Sequence, residues 1–123
     1  MTVIRRPAVR ADLEAIGVKR IPTRMRATTL ERDGKVLAVL GMALDLEDGL
    51  TVAFVDLGDE PAMTFGKSLH QAALFMFDEA RRIGIKRVIA RAQPGVEAAE
   101  RWIKRFGFEP VEIDGDPLWL KRL

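Results

Sequence analysis

Asp59-Glu60-Pro61-Ala62-Met63-Thr64-Phe65-Gly66-Lys67-Ser68-Leu69 is the hinge at which this chain turns from strand to helix. Before it, Leu50-Thr51-Val52-Ala53-Phe54-Val55-Asp56-Leu57 is rich in β-branched and aromatic side chains, as a buried strand is. After it, Phe65, Leu69, Ala72, Ala73, Met76, Ala80 and Ile83 recur at helical spacings on one face. Leu74, Phe75 and Phe77 widen that face, so the pattern predicts a largely buried helix from near Thr64 to the stop at Gly84. A strand that turns sharply into a helix leaves N–H groups unpaired at the positive end of the helix dipole. That makes the hinge the chain's best seat for a phosphate or pyrophosphate.

Upstream, Val3-Ile4-Arg5-Arg6 starts a short strand that Pro7 interrupts, and Ala11–Ile16 reads as a short helix with Gly17 past its end. Ile21 to Met25 is irregular around Pro22. Two β-type runs, 26–32 and 35–44, flank Asp33-Gly34, a strong hairpin signal because both turn positions favour positive φ. A second turn at Glu47-Asp48-Gly49 leads into the strand at 50–57, completing an antiparallel meander. Downstream come a strand Val88–Ala92, a break at Pro94-Gly95, and a helix Val96–Phe106 closed by Gly107. Two closing strands, Phe108–Ile113 and Leu118–Lys121, flank Asp114-Gly115-Asp116-Pro117. The order β-α-β-β-β-α-β-α-β-β specifies an α+β, or mixed α/β, three-layer domain.

At 123 residues, 48% hydrophobic and 31% charged, the chain reads as one globular domain spanning 1–123. The net charge is only +2, so the pI of 9.3 makes no case for nucleic acid; a basic cluster from Arg5 to Arg26 reads as a solvated face. With no cysteine and one histidine, His70, thiol chemistry, thiolate metal sites, multi-histidine metal sites and a Ser-His-Asp triad are disfavoured. No apolar run is long enough to span a membrane and no signal peptide is apparent, so the expected setting is cytoplasmic.

Phe65-Gly66-Lys67-Ser68 looks like the end of a Walker A loop, G-x-x-x-x-G-K-[ST]. Its first glycine would be residue 61, which is proline. Proline lacks the N–H and fixes φ, and the following strand does not end in the aspartate that a triphosphatase metal needs. The triphosphatase reading is set aside.

The chain as a whole resembles the GNAT-type N-acetyltransferase superfamily, in a shortened form. Ile4–Ile16 looks like that family's first strand and helix, and Pro61 sits where a proline often follows its fourth strand. Glu79-Ala80-Arg81-Arg82-Ile83-Gly84 matches the end of its main helix. Ala98-Ala99-Glu100-Arg101-Trp102-Ile103-Lys104-Arg105-Phe106-Gly107-Phe108 is similar to its later A-x-x-x-Y-x-x-x-G-F segment. The resemblance implies binding of acetyl-CoA as co-substrate and transfer of the acetyl group to a primary amine on a small molecule or peptide. The pyrophosphate would sit on the hinge N–H groups, and the pantetheine arm between splayed strands at 50–57 and 87–92. The residues it places against the cofactor are Leu57, whose neighbouring N–H would polarise the thioester, and Phe65, Gly66, Lys67, Ser68 and Leu69.

The chain departs from the family at three points. The family's phosphate loop, [QR]-x-x-G-x-[GA], falls on Thr64, Lys67 and Leu69. Gly66 is one residue early, and side chains at 67 and 69 are expected to crowd the approach. The chain has no tyrosine, and Ile103 stands where the family's thiolate-protonating tyrosine falls. One short helix, instead of two, walls the acceptor side, which is then open or completed by a second copy in a homodimer. Asp56, Glu60 and His70 are the candidate bases, His70 reading more readily as a packing residue. The alternative to an enzyme is a GNAT-like binding or assembly module, of phage or accessory-genome type, that has lost turnover.

Overall fold

The computed structural model describes residues 2–22, 24–44, 50–91 and 97–123. Their order is β1 (Ile4–Pro7), α1 (Arg10–Ala15), β2 (Met25–Arg32), β3 (Lys35–Ala43), β4 (Val52–Leu57), a 3-10 turn (Ala62–Phe65), α2 (Gly66–Arg82), β5 (Arg87–Ala90), α3 (Glu97–Arg105), β6 (Glu109–Ile113) and β7 (Asp116–Arg122). This is the expected order throughout. The strands form one seven-stranded sheet in the order β1-β2-β3-β4-β5-β7-β6. β4 and β5 are parallel and joined through α2; the registered pairs on either side of them are antiparallel.

The turn residues are where the sequence demands them. Asp33 and Gly34 hold φ of 54° and 78°, as a two-residue hairpin of this twist requires. The closing hairpin turns on two residues, Asp114 and Gly115, with φ of 51° and 83°. It is shorter than the sequence suggests, because Asp116 and Pro117 belong to β7, opposite Ile113 and Glu112. β5 registers against β7 only from Trp119 onward, so Pro117 needs no N–H for that neighbour. Pro7 likewise does not interrupt β1; it pairs with Thr28 in an edge strand, where one side needs no donor.

Paired side chains share a face of the sheet, which sorts the layers. Thr29 reaches Asp12 of α1, so its partner Val39 and in turn Asp56 lie on the α1 face. Ala38, Leu40 and Met42 face the other way and join the main core with Phe65, Leu69, Ala72, Ala73, Met76, Phe77 and Ala80 of the hinge and α2. Ile103, Phe106 and Phe108 extend that core, Phe77 lying 5.6 and 5.9 Å from the Phe106 and Phe108 rings. The Lys121 ammonium donates to the Phe106 carbonyl near the end of α3, a favourable place for a cation, and its burial lowers its pKa. One expectation fails here. Leu74 and Phe75 are 47% and 41% exposed, and over the Phe75 ring lies the Arg5 guanidinium at 4.6 Å in place of a core side chain.

α1 is only six residues long and is pinned to the sheet by charge. The Asp12 carboxylate accepts from Arg6 Nη1 and Nη2 at 2.8 Å each, from Thr29 Oγ1 at 2.8 Å and from the Val9 N–H at 2.9 Å. The last bond is half of a capping box; Val9 has no side-chain acceptor to supply the other half. The helix runs Arg10–Ala15, one residue earlier than the sequence suggests, with Gly17 at φ 84° behind it.

Several boundaries shift by a residue or two, among them the start of β4, at Val52 in place of Leu50. The helix expected from Thr64 starts as the 3-10 turn and becomes α-helical at Gly66. β5 ends at Ala90, and α3 ends at Arg105. The expected turn at Glu47-Asp48-Gly49, the Pro94-Gly95 break and the helix start at Val96 lie outside the described residues.

Candidate functional site

The opening between β4 and β5 is the feature on which a site can be built. The two strands register only at Val52↔Ile89. Hydrogen bonding alternates along a strand, and two bonds fix its phase. Gly58 N–H donates to Leu37 O on the β3 side at 2.9 Å, and Ile89 N–H donates to Thr51 O at 2.9 Å. Odd-numbered β4 residues therefore address β5. Among the described residues, no ladder pairing continues past Val52, so the backbones of Val55 and Leu57 face the opening. A parallel pair that parts in this way offers edge N–H and C=O groups to an extended ligand.

The hinge follows β4 directly, from the end of the strand beyond the Val52↔Ile89 pairing. Phe65, at φ −139° and ψ 28°, leaves the helical region, and α2 restarts at Gly66 without a side-chain cap. A helix start of that kind leaves N–H groups available to an outside acceptor. Gly66 and Lys67 are exposed and Ser68 is half-buried. A Cβ built on Gly66 meets nothing within 4 Å, so there is open space before the first turn. Phe65 and Leu69 are 4% and 6% exposed, with their side chains in the core, so only their backbone can serve a ligand. The crowding expected from the Leu69 side chain is therefore absent. Leu57 is 45% exposed at the end of β4, and Met63 88% exposed in the 3-10 turn.

Two ion pairs brace the hinge against the β2–β3 hairpin, and neither is visible in the sequence. Lys35 Nζ lies 2.7 Å from Asp59, and Arg32 Nη2 lies 3.2 Å from Glu60. The Lys35 contact lowers the Asp59 pKa. Gly58 sits against the same hairpin, where an added Cβ would be 3.0 Å from the Val36 carbonyl oxygen and 3.4 Å from Ile16 Cγ2. A larger residue there would press on the Val36 and Leu37 carbonyls.

The three candidate bases separate clearly. Glu60 is held by Arg32. His70 stacks on Phe106 at 4.8 Å and 26°, a packing role. Asp56 is half-buried on the α1 face of β4, and burial raises its pKa from the ordinary aspartate value. Among the described residues it is in no ion pair within 4 Å, and it sits next to Leu57. Ile103 is 8% exposed in the core, and Trp102 beside it packs edge-on against Phe106. Neither offers an acid. Among the described residues no cluster of His, Cys, Asp and Glu fits a metal ion, and no helix is long and apolar enough to cross a membrane.

No protein-family model matches the chain, and a search of curated proteins finds no match. Solved structures do match over nearly its whole length. An N-acetyltransferase from Staphylococcus aureus Mu50 superposes with a TM-score of 0.71 at 15% identity, covering 100% of this chain and 98% of that one. The ribosomal-protein-S18-alanine N-acetyltransferase from Escherichia coli gives 0.69 at 14%, with 99% and 93% covered. An acetyltransferase from Thermus thermophilus gives 0.65 at 17%, with 100% and 98% covered. At these identities the likeness is one of fold: a mixed α+β sheet of the GNAT N-acetyltransferase type.

Proposed function

We propose that this chain, built on the GNAT fold, is a single acyl-CoA-binding domain that transfers an acetyl group from acetyl-CoA to a primary amine. The observation that carries the reading is the parting of β4 and β5 after Val52 beside an uncapped, exposed start of α2. An extended pantetheine arm can pair with the freed edge at Val55 and Leu57. The pyrophosphate then meets the backbone of Gly66, Lys67 and Ser68, with the Lys67 ammonium adding a positive charge. In this arrangement the Leu57 N–H points into the opening and donates to the thioester oxygen as it gains charge.

The amine nitrogen attacks the thioester carbon, the carbonyl becomes a tetrahedral oxyanion, and its collapse breaks the carbon–sulfur bond. The neutral amine attacks, and Asp56 takes the proton from the nitrogen that the new bond leaves positively charged, directly or through one water; its raised pKa suits a base better than an ordinary aspartate would. The CoA thiolate, whose parent thiol has a pKa of about 8.5, leaves unprotonated or takes its proton from water.

A second reading has an observation of its own. Ile103, buried in the core, offers no acid at the position where the family's tyrosine stands. A domain that binds acetyl-CoA without turnover would keep the cleft and the hinge and do without Asp56. A turnover assay with acetyl-CoA and a broad panel of primary amines, following thiol release, separates the two. Thiol release that depends on Asp56 supports the transferase; saturable binding without release supports the binding module.

A further inference from the structure

A cavity of about 380 Å³ opens on the α2 face of the sheet, between the β1–β2 edge and the second half of α2. Its lining joins Met25, Met42, Phe75 and Met76 with the arginines Arg5 and Arg26. Phe75 is nine residues past Gly66, about 14 Å along the helix at 1.5 Å per residue, so the cavity is separate from the hinge. We propose that it binds a small amphipathic carboxylate, an aromatic or short-chain acid.

Size and lining set the first half of that assignment. The volume lies at the small end of the range for small-molecule sites, about 300–1,000 Å³. Methionine thioethers adapt to an apolar guest, and the 41% exposed Phe75 ring gains cover when one binds. A bare phosphate or sulfate would leave that apolar lining wet.

Charge sets the second half. Four charged side chains border the cavity: Arg5, Arg6, Arg26 and Glu79. Arg6 is spent on Asp12 at 2.8 Å and Glu31 at 3.2 Å. Glu79 is held by Arg82 through Nε at 3.2 Å and Nη2 at 2.6 Å. Arg26 makes only a long ion pair with Glu79, at 3.7 Å and beyond hydrogen-bond range, so among the described residues its N–H donors have no carboxylate within hydrogen-bond distance. Among the described residues no carboxylate pairs with Arg5, whose guanidinium lies 4.6 Å over the Phe75 ring. Two guanidiniums thus face the cavity against one carboxylate already neutralised elsewhere. Guanidinium forks match a carboxylate in a plane, and a cationic guest would meet net repulsion, since Glu79 is already engaged by arginine.

Phenylacetate and its neutral isostere phenylacetamide test this on the full chain, with amide chemical shifts as the readout. Phenylacetate is expected to bind saturably and shift Met25–Thr28 and Phe75–Glu79, leaving Gly66–Leu69 unmoved. Because both arginines are partly exposed, the expected preference over the amide is about fivefold. Arg26→Gln is expected to bring phenylacetate down to the affinity of the amide, and Arg26→Lys to keep most of the preference. An unchanged melting temperature for each variant establishes that the fold is intact, and Arg5→Gln provides the same comparison from the other side. Equal affinity for acid and amide, shifts centred on Gly66–Leu69, or an Arg26→Gln variant with full preference would each overturn the proposal, as would no saturable binding. Acetyl-CoA binding plays no part in the readout, so the two assignments stand or fall separately.

Discussion

Replacing Asp12 with asparagine is expected to cost about 2 kcal/mol of stability at neutral pH and almost nothing at about pH 2. The Asp12 side chain is 7% exposed and its carboxylate accepts from Arg6, the Val9 N–H and Thr29. The Arg6 hydrogen bonds do most to lower its pKa, from 3.8 to about 2, against the burial that pushes it up. At about 1.4 kcal/mol per pKa unit, that depression on folding is worth about 2 kcal/mol. Hydrogen bonds to a charged group, at about 1.5–3 kcal/mol each, give the same order for losing the charge while keeping one amide oxygen as acceptor. Arg6 is 33% exposed and can turn to water, so the cost stays below that of stranding a fully buried partner.

Because folded Asp12 has the lower pKa, its stabilisation is complete above the unfolded value of 3.8 and is lost as pH falls through about 2. Urea unfolding of wild type and Asp12→Asn at a series of pH values should therefore show two curves about 2 kcal/mol apart at about pH 7 that converge below about pH 4. A gap that stays constant down to about pH 2 would mean that shape and not charge holds α1 to the sheet.

Three further outcomes are expected. Lys67→Glu should weaken acetyl-CoA binding about tenfold, as opposing charge on a phosphate contact does; Lys104→Glu, whose ammonium lies 5.7 Å over Trp119, should not, and equal losses would remove the hinge from the phosphate site. Asp56→Asn should lower kcat about a hundredfold with little change in KM for acetyl-CoA; an active variant would free Asp56 of the role of base. The pH–rate profile should rise as the amine and Asp56 lose their protons and then level off. With no tyrosine to titrate near about pH 10, a bell shape would point to an acid elsewhere.

The order of the elements is legible in the sequence because turn chemistry punctuates it. Asp33-Gly34, Gly84, Gly107 and Asp114-Gly115 take the positive φ that their residue types favour, and the helical period of α2 is strong. Periodicity gives the width of an apolar face but not what covers it, so Leu74 and Phe75 read as buried and are exposed. Pro7 misleads because strand position within the sheet, edge or interior, is a tertiary fact. The hinge is found from its strand-to-helix switch, and its residues do gather at the start of α2. The pairing of Arg32 with Glu60, the Arg6–Asp12–Thr29 cluster and the cavity beside Phe75 each draw on elements far apart in the chain. The only local trace of any of them is Asp12 standing three residues after Val9, half of a capping box. Asp56 stands out in the sequence as a carboxylate near a strand end; its burial and raised pKa need the face of β4 that only the pairing with Val39 reveals.

The most direct measurement is calorimetric titration of the full chain with acetyl-CoA, alongside S-acetyl-pantetheine, which keeps the pantetheine arm and lacks the pyrophosphate. A single saturable site per chain, weakened when the pyrophosphate is removed and weakened again by Lys67→Glu, is the result predicted for a cofactor lying between β4 and β5 with its phosphates on the start of α2. No heat of binding at millimolar acetyl-CoA, or binding indifferent to the pyrophosphate, would contradict it.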